Sequence, residues 1–122
     1  MDEKRLLVVD DEPEFGEYVR KVAVELGYEV EVTGDGKSFM KAYESFNPSV
    51  IALDLVMPEI DGVELVQWLV EHDCTAQLIV ITGYNPKYAA LAAKLAEARG
   101  LSSVTTLTKP VKLSRLRNVL AP

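Results

Sequence analysis

Carboxylate, hydroxyl and ammonium side chains follow short apolar runs at four places in this chain. They are the pair Asp10-Asp11 and the single residues Asp54, Thr82 and Lys109. The least apolar of the four runs precedes Lys109. Continuous apolar runs are typical of parallel strands buried on both faces, and parallel sheets bind ligands beyond the carboxyl ends of their strands. We therefore expect these groups to converge on one crevice. The preceding runs are residues 6–9, 50–53, 78–81 and 104–107.

Such a crevice suits a metal ion and a phosphoryl group. Clustered carboxylates repel one another, and a divalent cation is the usual means of keeping them ionised together. Oxygen ligands favour Mg²⁺ or Mn²⁺ over Zn²⁺, and Mg²⁺ commonly binds one or two carboxylates together with phosphate oxygens. One carboxylate could accept the phosphoryl group covalently. Lys109 could neutralise its charge, and the Thr82 hydroxyl could donate a hydrogen bond to it.

Strand and helix patterns alternate along the whole chain. Pro13 suits an early helical position, and apolar residues then recur from Phe15 at steps of three and four until Gly27. Later helices follow Gly36 and Pro86, and the last one covers Leu113–Leu120. Another helix follows Gly62, with an apolar stripe at Val63, Val66, Leu69 and Val70. Five strands alternating with five helices through short loops predict an α/β fold, a doubly wound five-stranded parallel sheet with helices on both faces.

The composition fits a single domain over residues 1–122. Hydrophobic residues make up 48% of the chain, and the net charge of −6 argues against general affinity for nucleic acid or anionic membranes. The lone Cys74 cannot form an internal disulfide, and its distance of two residues from His72 does not direct the two side chains at each other. No N-terminal apolar stretch reaches signal-peptide or membrane-span length, so we expect a cytoplasmic protein.

Five separated motifs closely resemble the receiver domain of two-component response regulators. Together they span nearly the whole chain, and their number and order make the resemblance specific, although any one motif alone would be weak. The resemblance implies a CheY-like fold and a phosphoacceptor that is not an enzyme beyond its own phosphorylation and dephosphorylation. The motifs are VVDDE at 8–12, LDLVMP at 53–58, DG at 61–62, ITG at 81–83 and TKP at 108–110.

The resemblance also implies a phosphoacceptor and a metal site. Asp54 would take the phosphoryl group from a sensor histidine kinase or a phosphotransfer protein. Asp10 and Asp11 would hold Mg²⁺, and Asp54 itself with the backbone carbonyl of Val56 would complete the protein ligands. Lys109 would pair with the phosphoryl group.

The resemblance further implies a moving switch and a readout surface. Thr82 would move toward the phosphoryl group on activation, and the Lys109-Pro110 peptide bond would be cis. The readout surface would comprise the helix at 85–99, the strand at 104–107 and the last helix. We expect it to bind a covalently linked output domain, another partner or a second copy, in a chain that is either a stand-alone receiver or one excised from a longer protein.

Two positions, Thr106 and Val56, depart from the pattern of the family. The family usually carries Tyr or Phe three residues before its lysine, where this chain has Thr106. The ordinary coupling between threonine and aromatic is therefore not expected here. Val56 and Tyr84 offer no amide or carboxylate to orient an attacking water, so we expect a long-lived phosphoryl group.

Other functions fit the residues less well. A dehalogenase-like phosphatase needs a second acid two residues after its aspartyl nucleophile, where this chain has Val56. A flavodoxin-like or nucleotide-binding module needs a phosphate-cradling loop after the first strand, where Asp10, Asp11 and Glu12 would repel phosphate. Either aspartate alone could merely cap the following helix. The strongest alternative is a receiver-like adaptor that acts by protein contact without phosphorylation.

Overall fold

Five strands and five helices alternate along the chain. The computed structural model describes residues 4–55, 62–83, 86–101 and 103–121. The strands are β1 (Arg5–Val9), β2 (Glu29–Thr33), β3 (Val50–Asp54), β4 (Gln77–Thr82) and β5 (Val104–Thr108). The helices are α1 (Pro13–Glu25), α2 (Gly36–Phe46), α3 (Gly62–Glu71), α4 (Pro86–Ala98) and α5 (Leu113–Leu120).

All strands belong to one parallel sheet in the order β2-β1-β3-β4-β5. The chain moves outward from β1 to β2 and then returns to place β3 on the other side of β1. Val9 pairs with Leu53, so β1 and β3 end side by side. Open parallel sheets bind ligands at such a reversal of strand order. The predicted fold class is confirmed.

Helices cover both faces of the sheet. One core cluster packs α1 and α5 against the sheet, and the other packs α2, α3 and α4 against the opposite face. Neighbouring residues of β1 serve different faces, since Leu6 belongs to the first cluster and Leu7 to the second. Both are fully buried, which explains why β1 lacks polar alternation. No helix in the described ranges is long and apolar enough to span a membrane.

The start of α3 is tied closely to the end of β3. The Gly62 amide donates to the Leu55 carbonyl at 3.1 Å. A Cβ atom at Gly62 would lie 2.5 Å from the Leu55 Cα atom, so only glycine fits this approach. Leu55 directly follows Asp54, and this packing therefore fixes the backbone beside the candidate phosphoacceptor.

Two details differ from the sequence-based expectations. The last strand extends to Thr108, one residue further than predicted, because Thr108 pairs with Thr82. In α3, the apolar stripe was expected at Val63, Val66, Leu69 and Val70. Leu65 is fully buried, whereas Val63 and Val70 are half-buried, so the face turned to the sheet is rotated toward Leu65.

Candidate functional site

The carboxyl ends of four strands bring the predicted groups to one edge of the sheet. Asp10 follows β1, Asp54 and Thr82 are the last residues of β3 and β4, and Lys109 follows β5. The Lys109 amide donates to the Thr82 carbonyl at 2.8 Å, which continues the pairing of β4 with β5. The Lys109-Pro110 peptide bond is cis, in agreement with the expectation from the family resemblance.

Three polar residues of this edge are buried. Asp10, Asp54 and Thr82 are 2%, 4% and 0% exposed. A buried carboxylate is costly unless it is paired or hydrogen-bonded. Asp10 Oδ1 accepts a hydrogen bond from the Glu12 amide at 2.8 Å, and the Asp10 amide donates to the Thr33 carbonyl at 3.1 Å. Asp10 is therefore held in a fixed orientation at the carboxyl end of β1.

Lys109 supplies a positive charge to the cluster. Its Nζ atom lies 3.0 Å from Asp10 Oδ2 and 3.5 Å from Asp54 Oδ2, and it also contacts Glu12 Oε1. Burial opposes the charged form of the lysine, but hydrogen bonds to Glu12 and Asp10 and the charge of Asp54 outweigh it and raise the pKa of Lys109. The ammonium group therefore stays protonated beside the carboxylates.

Three carboxylates are close enough to share a cation. Oxygen atoms of Asp10, Glu12 and Asp54 all lie within 4.8 Å of one another. Glu12 was not predicted as a site residue, although it directly follows the Asp10-Asp11 pair. Asp11, which was predicted as a ligand, has an exposed side chain and lies outside this group of three. Its role as a metal ligand stays a prediction.

The donor set fits a hard divalent cation. Asp10 Oδ2 is buried, and it faces the Lys109 ammonium group in an ion pair at 3.0 Å. One ammonium facing three carboxylates leaves an excess of negative charge. Buried oxygen atoms with spare coordinating capacity and an excess of negative charge suit Mg²⁺.

Other predicted residues fall elsewhere. Thr106, at the position where the family usually has an aromatic residue, is exposed on β5. Val56, Tyr84 and the motif residue Asp61 lie outside the described residues. The expectations placed on Val56 and Tyr84 therefore stay predictions.

The fold and the site together define a class of protein. A doubly wound parallel sheet that presents an acidic cluster and a lysine at the carboxyl ends of its strands is suited to accepting a phosphoryl group. Residues 6–121 match the model of the response regulator receiver domain. The chain therefore belongs to the receiver domain family of two-component response regulators, whose members are phosphoacceptors and not true enzymes.

Individual relatives agree with this assignment. The transcriptional regulatory protein TrcR of Mycobacterium tuberculosis is 30% identical over 122 residues, which cover 95% of this chain and 45% of TrcR. The chemotaxis protein CheY of Thermotoga maritima is 27% identical over 119 residues, which cover 96% of this chain and 94% of CheY. The chain thus spans less than half of one relative and almost all of the other.

A solved structure shows the same fold. The crystal structure of a response regulator from Colwellia psychrerythraea is 30% identical, with a TM-score of 0.80. The match covers 98% of this chain and 94% of that one. Membership of the family also implies a histidine kinase as partner.

Proposed function

We propose that Asp54 accepts a phosphoryl group from a histidine kinase or a phosphotransfer protein, and that this modification switches the contacts of the domain with its partners. The main support for the proposal is the Lys109 ammonium group, which three carboxylates share. Lys109 Nζ contacts Asp10 and Asp54 at the ends of the adjacent strands β1 and β3, and Glu12 at the start of α1. This arrangement provides a nucleophilic carboxylate, an acidic cation site and a fixed positive charge within one cluster.

The transfer step uses groups already near one another. An Asp54 carboxylate oxygen forms a bond to phosphorus, and the bond from phosphorus to the donor's imidazole nitrogen breaks. The imidazole leaves with that electron pair. The Lys109 ammonium balances the negative charge of the phosphoryl oxygens as they arrive beside Asp54. The Thr82 hydroxyl, buried at the end of β4, is the proposed hydrogen-bond donor to the same oxygens.

The acidic residues are proposed to hold Mg²⁺. Asp10, Asp11, Asp54 and the Val56 carbonyl are the ligands that the family resemblance implies, and Glu12 is a further candidate because its carboxylate joins the cluster. When bound, Mg²⁺ would offset negative charge on the transferred phosphoryl group. Lys109 would then exchange its carboxylate partners for phosphoryl oxygens.

The readout is proposed to use the surface formed by α4, β5 and α5. Leu91 of α4 is 62% exposed and Leu113 of α5 is 44% exposed, so this surface offers apolar side chains to a partner, an output domain or a second copy. Thr106 offers no ring that could turn inward. The signal is therefore proposed to reach this surface through backbone movement of β4 and β5, whose ends are joined by the bond from Lys109 to Thr82.

Intact mass spectrometry tests the proposal. The protein is incubated with acetyl phosphate and Mg²⁺, and wild type is compared with Asp54→Asn and with Asp73→Asn. Asp73 is an exposed aspartate after α3 in the left-handed conformation, which asparagine also tolerates. We expect wild type and Asp73→Asn to gain one phosphoryl group and Asp54→Asn to gain none.

The same experiment addresses the contact-only adaptor. No mass gain in wild type, under conditions where calorimetry shows that the folded protein binds Mg²⁺, would contradict phosphorylation. That result would favour the adaptor.

A further inference from the structure

An aromatic ring contacts the lysine of the site from the side of α1. Lys109 Nζ lies over the Phe15 ring, 4.5 Å from the ring centroid. Phe15 is half-buried in the first turn of α1, and the side chain of Lys109 is only 16% exposed. A cation at this distance from an aromatic face is attracted by the ring, and the attraction increases when water is partly excluded.

The ring differs from the other contacts of the ammonium group. Within the described residues, Lys109 Nζ contacts the carboxylates of Asp10, Glu12 and Asp54 and the Phe15 ring. The carboxylates are the groups that a bound cation would engage. The ring has no lone pair that could coordinate a metal cation, and it does not react with phosphate. It therefore binds neither the metal nor the phosphoryl group.

We infer that Phe15 is a positioning residue that holds the Lys109 ammonium beside Asp54 while the carboxylates engage the metal. The inference rests on the proposed function. Without the ring, Lys109 would lose a contact that does not depend on the carboxylates, and the flexible side chain would sample positions away from the phosphoryl group. Helix α1, which contains Phe15, therefore helps to position Lys109.

A second contact from α1 fixes the segment that carries Lys109. The Tyr18 hydroxyl donates to the Val111 carbonyl at 2.9 Å. The rings of Tyr18 and Phe15 pack edge to face, with centroids 6.1 Å apart and an angle of 61°. The bond from the Lys109 amide to Thr82 holds the segment from the other side. The segment is thus anchored at Lys109 and at Val111, and Phe15 contacts the charged end of the side chain between them.

A purely structural role for Phe15 makes a different prediction. Phe15 also packs against the core cluster beneath α1 and α5. If packing were its whole role, replacement would lower stability and leave the phosphorylation rate of the folded protein unchanged. A positioning role requires a slower rate at saturating Mg²⁺ with an unchanged Mg²⁺ affinity.

Phosphorylation kinetics separate the two roles. The rate with acetyl phosphate at saturating Mg²⁺ is measured for wild type, Phe15→Leu, Phe15→Tyr and Phe46→Leu. Phe46 is half-buried at the end of α2 and packs on the opposite core cluster, so it controls for loss of an aromatic residue. We expect Phe15→Leu to react about threefold to tenfold more slowly, from the usual strength of such contacts. Phe15→Tyr, which keeps the ring, and Phe46→Leu should match wild type, and calorimetry should give all four the same Mg²⁺ affinity.

Two results would overturn the inference. One is a Phe15→Leu variant that reacts at the wild-type rate. The other is an equal loss of rate in Phe46→Leu, which would reduce the effect to general destabilisation.

Nuclear magnetic resonance of lysine-labelled protein tests the contact without phosphorylation. The Lys109 ε-methylene signal, assigned with Lys109→Arg, should be shifted upfield by the Phe15 ring in wild type. The shift should disappear in Phe15→Leu and persist when Mg²⁺ is added. Loss of the shift on adding Mg²⁺, in a wild type that still takes up phosphate, would refute the inference and leave the proposed function intact. A shift that persists in a protein that cannot be phosphorylated would refute the proposed function and leave the contact between Phe15 and Lys109 intact.

Discussion

At the residue scale, one lysine stands at the centre of the site. Its contacts with Asp10, Glu12 and Asp54 hold together carboxylates that would otherwise repel one another. The same contacts place the lysine in competition with a divalent cation for the carboxylates. Lys109 is therefore expected to stabilise the cluster before metal binding and to weaken metal binding itself.

Replacement of Lys109 should strengthen Mg²⁺ binding and remove the contribution of the ammonium group to phosphorylation. In Lys109→Met, the cation meets carboxylates that no longer share an ammonium group. We expect about tenfold tighter Mg²⁺ binding, since a charge at this range is worth roughly 1 kcal/mol or more at a protein surface. Calorimetric titration measures the affinity, with Lys41→Met on the exposed surface of α2 as control. Unchanged or weaker binding in Lys109→Met would contradict the competition.

From neutral pH upward, the contribution of Lys109 to stability should be lost only on the alkaline side. Its pKa is raised above the usual 10.5 through Glu12, Asp10 and Asp54 despite opposing burial. A raised pKa in the folded state means that the stabilisation is fully present below 10.5 and is lost as the pH rises through the folded value. Urea unfolding of wild type and Lys109→Met should therefore differ by a constant free energy from neutral pH up to 10.5 and converge above it. A difference that already shrinks well below that pH would be inconsistent with this assignment.

At the element scale, the strand ends were predictable and the contacts from the helices were not. Apolar runs ending in Asp10, Asp54 and Thr82 indicated three strand ends, because a strand buried on both faces is apolar up to the point where it leaves the sheet. Glu12 was missed because the direction of a side chain at a helix start depends on how the helix docks. Phe15 was placed correctly on the apolar stripe of α1, but periodicity does not reveal that its ring lies against Lys109.

The junction between β3 and α3 yields a prediction about glycine. Gly62→Ala would force a Cβ atom against the Leu55 backbone, which adjoins Asp54. We expect a loss of about 1–3 kcal/mol in the free energy of unfolding, as is usual for overpacked sites. Urea denaturation measures it. Gly34→Ala is the matched control because a Cβ atom there would meet nothing within 4 Å. Equal stability of the two variants would show that the junction yields at no cost.

At the scale of the whole molecule, the fold joins a stable core to an edge of excess negative charge. The fold could be predicted because the strand and helix patterns agree along the entire chain. The position of the acidic edge followed from the parallel strands. The residues that form the acidic cluster could not be predicted, because Asp11 and Glu12 are adjacent and chemically alike. Only the structure shows that Glu12 approaches Asp10 and Asp54.

Mg²⁺ should therefore stabilise the whole fold. A ligand that binds only the folded state adds about 2.7 kcal/mol at a concentration of one hundred times its Kd. We expect Mg²⁺ to raise the Tm of wild type and of Asp73→Asn by several degrees and that of Asp54→Asn by clearly less. Thermal unfolding followed by circular dichroism measures the shift. A wild-type Tm that is insensitive to Mg²⁺ would contradict a metal site in the acidic cluster.

Chemical mapping of the modified residue tests most directly whether Asp54 is the phosphoacceptor. After reaction with acetyl phosphate and Mg²⁺, borohydride reduces an aspartyl phosphate to homoserine, which tandem mass spectrometry locates in the digested protein. We expect homoserine at residue 54 and at no other aspartate. Homoserine at Asp10 or Asp11, or a phosphoryl group that resists borohydride on another residue type, would contradict it.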